Sequence, residues 1–294
     1  MKYAWLKAHR DSFPIIRMCE TLGVSRSGYY KWLQRKPGPR ELRSLRIRRD
    51  VRKLYESSHG IYGSYKIASL LNDDDQVESA CRNTVAKAMS EMGLKSRIRK
   101  KFAPTTTVAD PSKTPAPNLL DREFSPTRPN SKWVTDITYL ATKSGWVYLA
   151  VVLDLFSRKV VGWTMDTHLK TSLVSSALRD AIESRRPVGN ELMVHSDRGC
   201  QYTSEAYQTT LRSLGITCSM SRTANCYDNA VMERFFWSLK HEWTKFEEFQ
   251  DIEDAQLSVF KYIETFYNSV RIHQTIGYQT PDSFEKNYQA QTAA

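Results

Sequence analysis

The chain has 294 residues, a formal net charge of +11, 40% apolar residues and five cysteines, which allows two domains and a sizeable core with no need of a disulfide scaffold. The cysteines (Cys19, Cys81, Cys200, Cys218, Cys226) are odd in number, scattered and without a C-x-x-C pair, so zinc is not expected and reduced thiols are. MKYAWLKAHRDSF at the start has no apolar h-region, and no segment approaches 18 uninterrupted apolar residues, so neither a secretory leader nor a membrane span is expected, and a cytoplasmic protein is.

The charge is unevenly placed. Residues 1–103 hold 23 Lys plus Arg against 10 Asp plus Glu, a net +13, which leaves −2 for the remainder. A basic module beside a nearly neutral one is the asymmetry of a protein that grips phosphates with one part and does chemistry with another, so nucleic acid is the natural partner. By itself the charge would equally suit a membrane surface or solubility. In chain order, Ser12-Phe13-Pro14 predicts a helix start and Gly23 its stop, and Ser25 caps a second helix over 26–34. Helix, glycine turn and helix follow at helix-turn-helix spacing, with Arg26, Ser27, Tyr29, Tyr30, Lys31 and Arg35 expected at DNA, and with core as the alternative reading for Tyr30, Trp32 and Leu33. After Lys36-Pro37-Gly38-Pro39 comes a basic helix over 41–57, then a pair over 64–71 and 83–92. The run Lys95-Ser96-Arg97-Ile98-Arg99-Lys100-Lys101 closes a helical region at 1–102, and six prolines mark 103–130 as a linker.

Residues 131–294 read as an α/β core. Strands are predicted over 133–140, 146–153 and 159–165 as antiparallel neighbours, and helices over 169–184 and 204–214 lead to strands near 192–194 and 216–220 in parallel pairing, a mixed sheet. Long helices are expected over 229–246 and 252–267. Asp136 interrupts the strand WVTDITYL, where a carboxylate is costly unless a cation compensates it. Asp197 follows Leu192-Met193-Val194 at the carboxyl end of a strand, where open α/β sheets place ligands. Glu233 lies early in the helix after the cap candidates Asp228 and Asn229. Oxygen ligands of this kind suit hard cations such as Mg²⁺ or Mn²⁺, and the set suits two-metal phosphoryl transfer. The loop 221–228, with Arg222 and Asn225, is expected beside the site and mobile without DNA.

WVTDITYL, HSDRGCQY, the 35 residues between Asp197 and Glu233, NCYDNAVMERFF and FYNSVRIHQTIGYQTP together resemble the integrase core of bacterial insertion-sequence transposases of the insertion sequence three family. The resemblance covers roughly 125–285, and the helices of 41–92 resemble the helix-turn-helix-like region that precedes this core. It implies a ribonuclease H-like fold, with Asp136, Asp197 and Glu233 as catalytic metal ligands for two Mg²⁺ or Mn²⁺ ions. DNA would be cut at the terminal repeats, and the freed 3′-hydroxyl would attack target DNA. Arg234 departs from the small residue that many relatives carry there. Relatives also carry Lys or Arg seven residues after the glutamate, which makes Lys240 a phosphate-binding candidate over the bland reading of a solvated lysine. A multimer on DNA is implied, as is a nucleoid-associated bacterial location. The absence of a long heptad run marks the chain as the downstream-frame product, partnered by or fused to an upstream helix-turn-helix and leucine-zipper protein. The rival functions are a domesticated DNA-binding regulator, which would not need the acids, and a ribonuclease H-like nuclease, which would not need the basic module. Arg271 and His273 near the end suit either a DNA contact or a packed brace, and the brace is favoured.

Overall fold

The computed structural model describes residues 1–74, 76–97, 115–187, 189–222 and 226–293. Residues 98–101 of the basic run, the first part of the expected linker and Asn225 lie outside these. The centre is a five-stranded sheet in the order β3-β2-β1-β4-β5. β1 (Lys132–Thr142), β2 (Gly145–Asp154) and β3 (Val160–Asp166) form an antiparallel meander, and β4 (Met193–Ser196) and β5 (Thr217–Met220) add in parallel. The mixed sheet follows from the connections: short turns join the first three strands, while α7 (Thr171–Arg185) and α8 (Glu205–Ser213) carry the chain back across for each parallel addition. Gly162 of β3 lets α7 sit close, because a Cβ there would lie 2.4 Å from the Ala177 carbonyl oxygen.

The two faces of the sheet bury separate apolar sets. One holds Trp133, Ala150, Val152 and Val194 against α7 and α8. The other holds Val134, Val151 and Leu153 against α9 (Ala230–Ser238) and α10 (Ile252–Phe260). The expected single helices over 229–246 and 252–267 are broken. α9 widens into a π-turn at Leu239–Trp243 and a 3₁₀ turn at Thr244–Phe246, and α10 widens at Lys261–Tyr267. Such widenings concentrate at functional sites and leave no signature in apolar spacing. A last helix, α11 (Pro281–Ala293), docks through Glu285, whose carboxylate accepts two bonds from Arg185 at 2.7 and 2.8 Å and one from Ser157 at 2.7 Å.

The amino-terminal helices divide into two groups. α1 (Lys2–Ala8), α2 (Ile15–Leu22) and α3 (Arg26–Leu33) bury Leu6, Met18, Cys19 and Tyr29 in a small core of their own. Gly23 ends α2 in the left-handed region and Ser25 caps α3 by accepting from the Gly28 N–H at 3.0 Å. Tyr29 is fully buried between Tyr3 and Trp32, which corrects its placement at DNA; in so short a helix, one 100° step separates it from exposed Tyr30. α4 (Pro39–Ser57), α5 (Ser64–Asp73) and α6 (Arg82–Glu91) behave differently. Their Ile47, Val51, Ile67, Leu71 and Val85 belong to the same apolar core as Val134 and Phe235. Tyr62 fastens the join, donating to the Val270 carbonyl and accepting from the Ile272 N–H, both at 3.0 Å. The core therefore runs across the expected boundary between a helical region at 1–102 and a catalytic one at 131–294.

Candidate active site

Strand register brings the two aspartates together. β1 and β4 run parallel with Val134 opposite His195, and each strand has its acid two residues further on, so Asp136 and Asp197 stand at one level and with one parity at the carboxyl end of β4. They line a cleft of about 160 Å³ with Thr138, Tyr139, Gln201 and Tyr202. Asp197 Oδ1 accepts from the Gly199 N–H at 2.9 Å, and Asp136 Oδ1 from the Ile137 N–H at 2.8 Å. Burial first, then the facing Asp197 and more weakly Glu233, hold the Asp136 carboxyl well above the usual carboxylate range, against the opposing pull of the Ile137 N–H and Lys240.

Glu233 lies in the first turn of α9, exposed, with its carboxyl raised by partial burial. Among the described residues no three His, Cys, Asp or Glu side chains gather tightly enough to hold an ion; the acids meet as the pair Asp136 and Asp197, with Glu233 within electrostatic range. The donor set fits a hard divalent cation, because like charges packed at one strand end are relieved by positive charge placed between them. Lys240 is on this side as well. It falls in the π-turn, so the two-turn spacing from Glu233 is not that of a regular helix, yet its Nζ stands 4.5 Å from the centroid of the Tyr139 ring. Burial lowers its pKa, with Asp136 acting in the opposite sense.

Asp228 is the functional neighbour that sequence reasoning missed. It is fully buried, and accepts from Asn118 Nδ2 at 2.9 Å, from the Arg222 backbone N–H and guanidinium at 3.0 Å, and from Arg122 Nε at 3.2 Å. The Arg222 guanidinium foremost, despite burial, holds this carboxyl well below the usual range. An Asp just before a helix reads as a cap; here it ties 118–122 and 222 to the start of α9, which carries Glu233. Arg222, expected at DNA, has its guanidinium on Asp228 and 3.5 Å from Asp121, with the side chain 48% exposed. His195, between Ser219 at 2.8 Å and Ser221 at 3.1 Å, locks β4 to β5 and is held neutral, its pKa lowered to about 4 mainly by burial.

The residues expected at DNA lie far from the acids in sequence and on the separate amino-terminal core: Arg26, Ser27 and Lys31 are exposed on α3, with Arg26 over the Tyr30 ring at 5.8 Å. Arg234 lies 4.4 Å over Trp237. Arg271 is buried, its guanidinium paired with Glu242 at 2.6 and 2.7 Å, and His273 is buried beside it. Both occupy the brace position.

Among solved structures, the chain is similar to a simian T-cell lymphotropic virus intasome bound to a PP2A regulatory subunit, with a TM-score of 0.46 and 18% identity over 79% of this chain and 73% of that one. An HTLV-2 integrase catalytic core in complex with magnesium gives 0.42 and 18%, over 54% and 98%. The integrase core domain family matches residues 126–226 and, by a second description of that core, 214–281; an HTH-like domain matches 42–102. The transposase InsF for insertion sequence IS3A of Escherichia coli (strain K12) is 39% identical over 97% of this chain and 98% of its own length. The insertion element IS600 31 kDa protein of Shigella sonnei is 36% identical over 94% of this chain and the whole of its own. With an integrase core of ribonuclease H-like fold behind a helix-turn-helix-like region, and this likeness end to end, the chain belongs to the IS3 family of insertion-sequence transposases.

Proposed function

We propose that Asp136, Asp197 and Glu233 are the acids with which this transposase cuts the ends of its element and joins the freed 3′-hydroxyl to DNA. The observation that carries this assignment is the meeting of Asp136 and Asp197 at one level of adjacent parallel strands, inside a cleft where Asp197 raises the cost of the charge on Asp136. Asp136 and Asp197 would hold Mg²⁺ or Mn²⁺, with Glu233 completing a second site for two ions in all. Bound there, the ions supply electrophilic stabilisation of phosphate oxygens and a more acidic water.

The chain's own groups do the rest. By placing the cations they would hold, the acids would set where the scissile phosphate lies. Lys240 adds positive charge at the same edge, steadied by the Tyr139 ring, and grips a neighbouring phosphate. The Asp228 cluster sets the start of α9 and so the reach of Glu233. Arg26, Ser27 and Lys31 of α3 take the terminal repeat, a reading supported by their exposure on a basic module that caps and folds around its own small core. Two element ends must be held at once, so the working form is a multimer on DNA. The chain acts as the downstream-frame product, with an upstream helix-turn-helix and leucine-zipper protein as partner or fusion, in the bacterial cytoplasm at the nucleoid; no described helix is long and apolar enough to cross a membrane.

Asp197→Asn and Asp136→Asn test the assignment on duplexes carrying the element's own ends. Each amide keeps the shape and loses the charge, so both cleavage and strand joining should vanish while end binding by gel shift persists. Strand joining at wild-type rate by either variant would remove that acid from the mechanism.

A further inference from the structure

The β1–β2 hairpin carries an aromatic group of which the proposed reaction uses only Tyr139. Tyr139 stands opposite Tyr148, and Ala141 opposite Trp146, so Tyr139, Tyr148 and Trp146 share one face of the hairpin. Tyr139 lines the cleft with Asp136 and Asp197. Trp146 packs against it in a T-shape, centroids 5.0 Å apart and planes at 86°, and remains 56% exposed. The Lys240 ammonium lies over the Tyr139 ring. A large indole, half open to solvent, packs on a tyrosine that itself lines the cleft of the two acids and carries a cation over its ring, so indole, cation and cleft meet through Tyr139, which is more than a stray surface tryptophan would show.

We propose that Trp146 is a stacking platform for an unpaired nucleobase of the DNA end, next to the phosphate that Lys240 grips. The proposal rests on the cleft being the site of cleavage. Where terminal base pairs loosen around the scissile phosphate, an aromatic face beside the cleft compensates the lost base stacking without regard to sequence. Tyr139 serves as the positioning residue: it holds the indole perpendicular and Lys240 in place. Base stacking on an aromatic ring changes affinity by about 5- to 150-fold on alanine substitution.

The experiment separates this from the assignment of the acids. In full-length Asp197→Asn protein, where no chemistry is needed, element-end duplexes carrying 5-iodouracil at successive positions around the scissile phosphate are irradiated and the crosslinked peptide is mapped. A crosslink at Trp146 from one or two positions only is expected. Crosslinks that map exclusively elsewhere would overturn the platform, and leave the role of the acids standing. In the otherwise wild-type chain, Trp146→Ala should slow cleavage of fully paired ends roughly tenfold, and ends with mismatched terminal pairs less, while Trp146→Phe keeps most of the rate. Equal losses for Ala and Phe that follow a lowered melting temperature would mean that the indole only supports the hairpin. Cleavage by Trp146→Ala at wild-type rate would also end the proposal.

Discussion

The cleft and the back of the core give their acids opposite partners. Asp50, Asp154, Asp228, Glu242 and Glu285 are all buried, and each meets a guanidinium: Arg49, Arg185, Arg222 with Arg122, Arg271, and Arg185 again. Asp136, at the cleft, faces a second carboxylate. An acid that is paired in the folded chain serves the fold; one that is set against its like is destabilising on its own and is retained for what it binds. Where the sheet ends, stability is given up locally, and the arginine-laced helices behind it make the loss tolerable.

The largest effect that would break this contrast lies at Arg271. Its side chain is enclosed with Glu242, Ser238 and His273, so Arg271→Ala leaves a buried carboxylate alone and should cost about 3–5 kcal/mol in urea unfolding. Replacing Arg271 and Glu242 together by Met and Leu should recover most of that, with cleavage per folded molecule near wild type. A destabilisation below about 1 kcal/mol for the single variant would show the pair to be dispensable.

A smaller effect is expected at Lys66, which lies over the Tyr62 ring at 4.9 Å where α5 meets the core. Burial foremost, then Arg271, lowers its pKa to about 7. The sign follows from the unfolded chain keeping a normal lysine near 10.5: unfolding takes up a proton between the two values, so wild type loses stability as pH falls from about 10.5 to about 7. Lys66→Met should therefore melt at the wild-type temperature near pH 10.5 and progressively above it as the pH is lowered to 7. A gap that does not change with pH would assign the effect to packing.

Removing residues 1–36 should have the smallest effect on stability, because α1–α3 are folded around their own Leu6, Met18 and Tyr29, with Arg35 to Glu41 at 3.2 Å among the polar contacts to α4. The truncated chain should melt within about 2 °C of the full chain and lose specific end binding, whereas a chain lacking 1–102 should fail to fold, having lost Ile47, Val51 and Ile67 from the shared core. Cooperative folding of the shorter piece would restore a boundary at 102.

The strands, their directions and the meeting of Asp136 with Asp197 were legible because each depends on local pattern: β-branched runs and an acid at a strand end. The surface that α4–α6 pack against was not, since an apolar stripe shows that a helix face is buried and never against what. Tyr29 and Tyr30 differ by one helical step that an eight-residue helix does not resolve by periodicity. Asp228 looked like a cap because its partners, Asn118 and Arg122, lie more than a hundred residues away. α11 was overlooked although Thr280-Pro281 announces it: the Thr280 hydroxyl accepts from the Ser283 N–H at 3.1 Å.

The opposition of charges in the cleft is tested most directly by melting wild type and Asp136→Asn with and without Mg²⁺ at constant ionic strength and neutral pH. Ionised Asp136 carries a folded-state pKa raised above its unfolded value, so its charge is a cost that grows as pH rises past about 3.8 and that a cation removes. Asn keeps the bond from the Ile137 N–H through its carbonyl oxygen and lacks the charge. The account predicts that Asp136→Asn melts higher than wild type without metal, and that Mg²⁺ raises wild type but leaves the variant nearly unmoved. A variant that melts lower, or a Mg²⁺ shift equal in both, would contradict it.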